Sequence, residues 1–220
     1  MLRFSVLAPL VVVCLLVGSS HAAMIESAGG NMDQLTVRGT DMVTNVAFGG
    51  MNLDDSGPIS LTGTGATASG SYNLTNGIAI SNFAFNLGDS AFADYAITTR
   101  FQAMVDLTYT LLGSLATSSS MHSPCLFMRI QDITAGEMPG TDIVSQYLSK
   151  SGVNSKTLTI NTMTGSLLAG HVYKLDIEMS CDAILAATGT GNASISLVPE
   201  PATLSLLALS GLALARRRHG

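Results

Sequence analysis

Four side chains that could hold a metal or form a nucleophile lie in the second half of the chain: His122, Cys125, His171 and Cys181. A His-x-x-Cys pair followed by a second His and Cys offers the nitrogen and sulfur ligands that zinc takes. His171 and Cys181 sit in a segment patterned as a strand, where their separation reaches roughly 33 Å when extended. Both could meet one ion only if the chain folded back between them, and a Cys-His nucleophile would need the same convergence. Carboxylates cluster in expected loops as Asp54-Asp55, Asp89 with Asp94, and Asp132 with Glu137. Exported β-proteins often hold calcium with such oxygens, but none of these groups follows a defined calcium loop. No cofactor is expected beyond that candidate structural calcium. Paired carboxylates also cleave glycosides when held at a fixed separation across a sugar. Such sites usually add aromatic platforms. Here Trp is absent, and Tyr72, Tyr95, Tyr109, Tyr147 and Tyr173 fall mostly on apolar strand faces. No Gly-x-Ser-x-Gly, P-loop or His-Glu-x-x-His motif occurs.

Composition narrows the function classes further. The 220 residues carry 10 basic and 15 acidic side chains, a net charge of −5, and charged residues make up 11% of the chain. An average globular domain has about 25%. The balance lacks the basic footprint of a nucleic-acid-binding protein. At 47% hydrophobic, the chain is not disordered for want of apolar residues.

The two ends carry addresses. Residues 1–22 begin Met-Leu-Arg, continue through an apolar run from Phe4 to Val17, and end Gly18-Ser19-Ser20-His21-Ala22. This is the plan of a secretory signal peptide, with signal peptidase expected to cut between Ala22 and Ala23. Residues 198–220 contain Pro199-Glu200-Pro201, an apolar stretch from Ala202 to Ala215, and then Arg216-Arg217-Arg218. As a helix, residues 202–215 reach about 21 Å, short of the roughly 30 Å hydrocarbon core. The arginines should stay cytoplasmic, while the signal peptide sends the body outside.

A Pro-Glu-Pro tripeptide, an apolar helix and a basic stop, in that order, resemble the PEP-CTERM sorting signal of exosortase substrates. These are exported bacterial proteins of species that make extracellular polysaccharide. The resemblance is confined to the tail. It implies recognition and removal of that tail by an exosortase-type enzyme, then release or attachment at the surface. The membrane is thus a transient partner through the C-terminal helix. Without the two ends, six basic and fourteen acidic residues remain, a net charge near −8, which should repel anionic surfaces. Export also places Cys125 and Cys181 in an oxidising compartment, where a lone pair is expected to form a disulfide.

The elements between the ends read as strands. Ile97, Thr99, Phe101, Ala103, Val105, Leu107, Tyr109 and Leu111 share one parity over residues 95–111, the alternation of a half-buried strand. So long a run should bend or bulge as it crosses a sandwich. Residues 172–185 alternate likewise, and Thr188–Asn192 reads as the turn of a hairpin into a last strand at 193–197. Asn76-Gly77 marks another hairpin. A three-residue loop pairing Leu74 with Ile78 keeps its apolar face whole and is preferred to a two-residue loop. Further strands are expected at 34–38, 42–48, 82–86, 125–133 and 157–163. The Gly/Ser/Thr-rich stretches 63–71 and 113–120 read as loops. Ile143, Val144, Tyr147 and Leu148 have helical spacing over 141–150. Asn73-Leu74-Thr75 and Asn192-Ala193-Ser194 match the glycosylation sequon.

The expectation is an all-β chain: a signal peptide (1–22), one antiparallel β-sandwich of jelly-roll type (23–197), and a sorting signal (198–220) with transmembrane helix 202–215 and a basic tail. The function expected is that of an exported, non-catalytic protein, held transiently at the inner membrane and then at the cell surface or in the extracellular matrix. The alternatives are a carbohydrate-binding module associated with exopolysaccharide, and a polysaccharide-acting hydrolase or lyase.

Overall fold

A computed structural model describes residues 24–49, 58–75, 78–118, 122–136, 140–152 and 154–200. The signal peptide, its cleavage site at Ala22 and Ala23, Pro201, helix 202–215 and Arg216, Arg217 and Arg218 lie outside these residues, as do Asp54, Asp55 and Glu137.

Every described element is a strand. In chain order they are β1 (Ile25–Ser27), β2 (Met32–Arg38), β3 (Thr44–Phe48), β4 (Ile59–Gly63), β5 (Ala66–Thr75), β6 (Ile78–Leu87), β7 (Phe92–Ala103), β8 (Leu107–Ser118), β9 (His122–Asp132), β10 (Thr141–Ser149), β11 (Lys156–Leu167), β12 (Val172–Ala183) and β13 (Ala187–Pro199). One sheet runs β10-β9-β12-β7-β2-β3, with β1 added on the end of β7; the other runs β11-β8-β13-β6-β5-β4. All pairings are antiparallel. The two sheets press their apolar faces together around one core that includes Leu35, Phe83, Tyr95, Ile97, Phe101, Leu115, Met128 and Ile177.

The alternation expected over 95–111 belongs to two strands. Met104, Val105 and Asp106 carry the chain from β7 in one sheet to β8 in the other, and the inward parity survives the crossing. The strands expected at 34–38, 42–48, 82–86, 125–133 and 157–163 fall within or across β2, β3, β6, β9 and β11.

Several local expectations are corrected. Residues 141–150 are not helical but form edge strand β10, whose register shifts between Asp142 and Val144. That bulge adds a residue and breaks the two-residue period, which is how Ile143, Val144, Tyr147 and Leu148 come to mimic helical spacing. The Asn76-Gly77 hairpin has the two-residue register, with Leu74 opposite Ala79 and Thr75 opposite Ile78. Small Ala79 fills the core beside Leu74, and Ile78 and Ile80 are left exposed. The stretches read as loops at 63–71 and 113–120 lie largely in β5 and β8, and Thr188–Asn192 is the interior of β13, which joins the sheet opposite β12.

Glycine misled those readings because it serves here as space, not as a turn. A Cβ on Gly70 would lie 2.5 Å from the Tyr95 ring, one on Gly191 2.7 Å from Met179 Sδ, and one on Gly113 2.8 Å from Met128 Sδ. Gly189 leaves room in the same way for Phe85. Inward glycines of one sheet thus admit large side chains of the core.

The disulfide expected between Cys125 and Cys181 does not form; both thiols are free. On adjacent β9 and β12, Cys125 pairs with Ser180, and Cys181 pairs with Pro124. The one-residue offset sends Cys181 into the core and Cys125 to the outer face.

Tyr95 also sets a test of this packing. Its hydroxyl donates to Asp33 Oδ2 at 3.2 Å, and its ring stacks on Phe83 at 6.2 Å, so it has little room to give. Gly70→Ala, which in an ordinary strand would be neutral or stabilising, is expected to destabilise by about 1–3 kcal/mol through overpacking. Thermal unfolding of the variant should show a lowered Tm, and an unchanged or raised Tm would refute the close approach.

Candidate functional site

Charge is divided unequally between the sheets. The six strands from β4 to β13 in the second sheet contain one charged residue, Lys156. Their outer side chains are mainly Ser, Thr, Asn and Ala, and they form a shallow trough of about 860 Å³ lined by residues such as Ser60, Thr67, Asn86, Ser118 and Thr188. The first sheet carries the other strand-borne charges, and its outer face has the richer chemistry.

The register lays that face out in rows. Tyr147, Phe127, Glu178, Ala96, Gln34 and Phe48 stand side by side across β10, β9, β12, β7, β2 and β3. The row spans about 24 Å at the usual spacing between strands, with aromatic rings at both ends. Tyr147 is 66% exposed. The other four tyrosines are core residues. The next row is Ser149, Cys125, Ser180, Asp94, Thr36 and Val46; the row on the other side includes Ser145, Arg129, Asp176 and Thr98.

Asp176 is buried although it stands on the outer face of the sheet. Its Oδ2 accepts from Arg129 Nε at 3.1 Å and Nη2 at 2.6 Å. Its Oδ1 accepts from Thr98 Oγ1 at 2.8 Å and lies 3.2 Å from Lys174 Nζ. Arg129 in turn lies over the Phe127 ring, 5.5 Å from its centroid. The guanidinium is thus fixed in place beside the aromatic row.

Asp94 is the contrasting carboxylate. Its Oδ1 is inaccessible and has no hydrogen-bond partner. Burial, aided by the charge of Glu178, pushes its pKa up to about 7, and burial raises Glu178 as well. Cys125 is raised chiefly by burial, partly offset by hydrogen bonds with Tyr147 and Ser180; burial pushes Cys181 up to about 12. Both thiols are therefore held in the protonated form, which is poor for nucleophilic attack.

The described members of the candidate His, Cys and acidic groups lie apart in space. His122 is buried at the start of β9 against Thr117. His171 lies near the other end of that strand, where its Nδ1 is 2.6 Å from Asp132 Oδ2. Burial would raise Asp132, but the bonds from Thr134 and His171 outweigh it and lower its pKa. Asp89 accepts from the Ala186 amide at 2.9 Å, while Asp94 faces outward on β7. Among the described residues, no group of three or more His, Cys, Asp or Glu side chains could hold a metal ion. Asn73 and Asn192 of the two sequons are exposed on the second sheet, Asn192 in mid-strand and not at a hairpin end.

Of the tail motif, Pro199 and Glu200 are described. Pro199 is buried and pairs with Leu107, and the Glu200 amide donates to Asp106 O at 3.0 Å. The first two residues of Pro199-Glu200-Pro201 therefore belong to the folded body. Sequence alternation stopped short of this and could not show it. Nor could it assemble the row of Tyr147, Phe127, Glu178, Gln34 and Phe48, whose members come from five strands.

The PEP-CTERM protein-sorting motif matches residues 197–218. The tail therefore carries a sorting signal of exported, surface-directed proteins that are processed by an exosortase-type enzyme. No curated protein matches the chain. Among solved structures, the enzymatically active domain of bacteriophage CBA120 tailspike protein 4 aligns with 12% identity and a TM-score of 0.33, over 67% of this chain. This chain covers 20% of that one. A family 11 carbohydrate-binding module from Clostridium thermocellum, in complex with a β-1,3-1,4-mixed-linked tetrasaccharide, aligns with 12% identity and a TM-score of 0.24. That alignment covers 76% of this chain and 96% of the module.

Asp94 makes stability depend on pH. A carboxyl whose folded pKa lies above its unfolded one binds its proton more tightly in the native state. Its contribution is complete below the ordinary value of 3.8 and is lost as the pH rises through about 7. The Tm of the wild type relative to Asp94→Asn should therefore fall across that interval. A difference that stays constant with pH would show that Asp94 titrates normally.

Proposed function

We propose that this chain is a non-catalytic, exported protein of the cell surface or extracellular matrix, delivered by its tail and released from it by an exosortase-type enzyme. The observation that carries this reading is the sorting motif over residues 197–218, joined directly to the folded body at Pro199. The chemistry of the body is consistent with a non-catalytic role. Its two thiols are held protonated, and its Arg129–Asp176 contact is a fixed ion pair of the kind that organises a surface.

A second reading is favoured by the row across the first sheet. Tyr147 and Phe48 offer exposed rings to the C–H faces of sugars. Gln34, Glu178 and the fixed Arg129 offer polar groups to hydroxyls between them. Cations and anions are interspersed on this face while the body is acidic overall, so the ligand proposed is a neutral polysaccharide. On this reading the surface protein is also a carbohydrate-binding module for exopolysaccharide.

Intact-mass analysis of the protein recovered from its native host, from both surface and medium, tests the sorting reading. Loss of residues 1–22 and of the tail near Pro199-Glu200-Pro201 is expected, with both thiols retained. A C-terminus that keeps Arg216-Arg217-Arg218 in all fractions would refute processing. For the second reading, affinity electrophoresis through gels containing purified neutral glucans should retard the native protein. Tyr147→Ala should weaken that retardation by about two- to twelvefold, as loss of one stacking contact worth about 0.5–1.5 kcal/mol implies. Retardation unchanged in the variant would move any glycan site off this row.

A further inference from the structure

Both ends of the described chain meet at one turn. The turn is Met104–Val105–Asp106, between β7 and β8. From one side, Met104 N donates to Met24 O at 2.9 Å, and β1 pairs Ile25 with Ala103. From the other side, Glu200 N donates to Asp106 O, and Pro199 sits opposite Leu107. Asp106 Oδ1 also accepts from Ala169 N at 2.8 Å, and Gly170 N donates to Ala103 O at 2.7 Å. The loop before β12 thus closes the same pole.

The chain has almost no slack between this pole and the apolar tail. Glu200 is held by its amide, and the apolar stretch begins at Ala202. Two residues reach at most about 7 Å. The polar layer on each side of the hydrocarbon core is itself about 5–8 Å thick. A tail of fourteen apolar residues is short for a full span, which draws its start inward and not outward. The pole also presents exposed apolar side chains suited to that layer: Met104 is 41% exposed, Leu168 56% and Val198 51%. Of its carboxylates, Asp106 is bonded to the Ala169 amide and Asp132 to His171, while Glu26 of β1 and Glu200 lie at the same pole.

We infer that, while the tail is in place, the sandwich stands on the membrane by this pole, with Met104 and Leu168 in contact with lipid. The strands then run away from the membrane, and Pro199-Glu200 is presented within the headgroup layer. The inference rests on the tail acting as a membrane-held sorting signal, and the opposite pole supplies an internal control. Twelve-residue strands separate the two poles by roughly 40 Å. At the far pole Ile184 is 54% exposed and Leu185 45%, as apolar and as accessible as Met104 and Leu168.

The test uses the full-length precursor in membranes of a host that lacks the processing enzyme. A photo-reactive phenylalanine derivative is placed singly at Met104, Leu168, Ile184 or Leu185. All four positions are exposed, so folding should tolerate it, and unchanged thermal unfolding of each purified protein verifies this. Irradiation should give lipid adducts from 104 and 168 and none from 184 or 185. Equal adducts at both poles, or none at 104 and 168 in a membrane-held precursor, would overturn the placement. A precursor absent from carbonate-washed membranes would overturn the sorting reading itself.

Discussion

Tyr95 shows the constraint on which the sandwich depends. Two sheets share one core when the side chains of their inner faces interdigitate at close packing. Tyr95 projects from β7, stacks on Phe83, bonds to buried Asp33, and fits because the facing position in β5 is Gly70. Met128 against Gly113 and Met179 against Gly191 repeat the arrangement along the core. The glycines therefore belong to the packing of the core. A second buried bond, from Thr99 Oγ1 to the Tyr72 hydroxyl at 3.0 Å, satisfies another polar pair in the same layer.

Once the inner faces are committed to this fit, the outer faces are free to differ. One became a nearly uncharged surface of hydroxyls and amides. The other carries most of the strand-borne charges beside an aromatic row. Placing ionisable groups on one side keeps the overall acidity from being spread evenly over the molecule. It also lets crowded neighbours do what a covering layer would do elsewhere. Asp176 is buried by Arg129, Lys174 and Thr98, whereas Asp94, lacking such partners, is driven toward its neutral form.

The connection between β7 and β8 links this architecture to the address at the tail. By receiving residue 24 on one side and residue 200 on the other, the Met104–Asp106 turn brings both ends of the body to one pole. A sandwich with strands of twelve or thirteen residues would otherwise allow its ends to lie far apart. The matched sorting motif, residues 197–218, therefore begins within β13.

What the sequence determined by itself is local or linear. The apolar termini, the Pro-Glu-Pro tripeptide and the arginine cluster are read in order along the chain, and so was the sorting motif. Two-residue alternation marked most strands, because burial of one face imposes that period whatever the partner strand is. It failed where the period is broken or disguised: at the bulge before Val144, at the inward glycines of β5, β8 and β13, and at the hairpin where Ala79, not Ile78, faces the core. Which strands pair, and which faces they present, is set by contacts between segments far apart in the chain. The parity offset that separates Cys125 from Cys181, and the assembly of Tyr147, Phe127, Glu178, Gln34 and Phe48 into one row, arise from hydrogen-bond register between distant segments. Register is set by how two sheets fit around a shared core, and that fit is not encoded within any single strand.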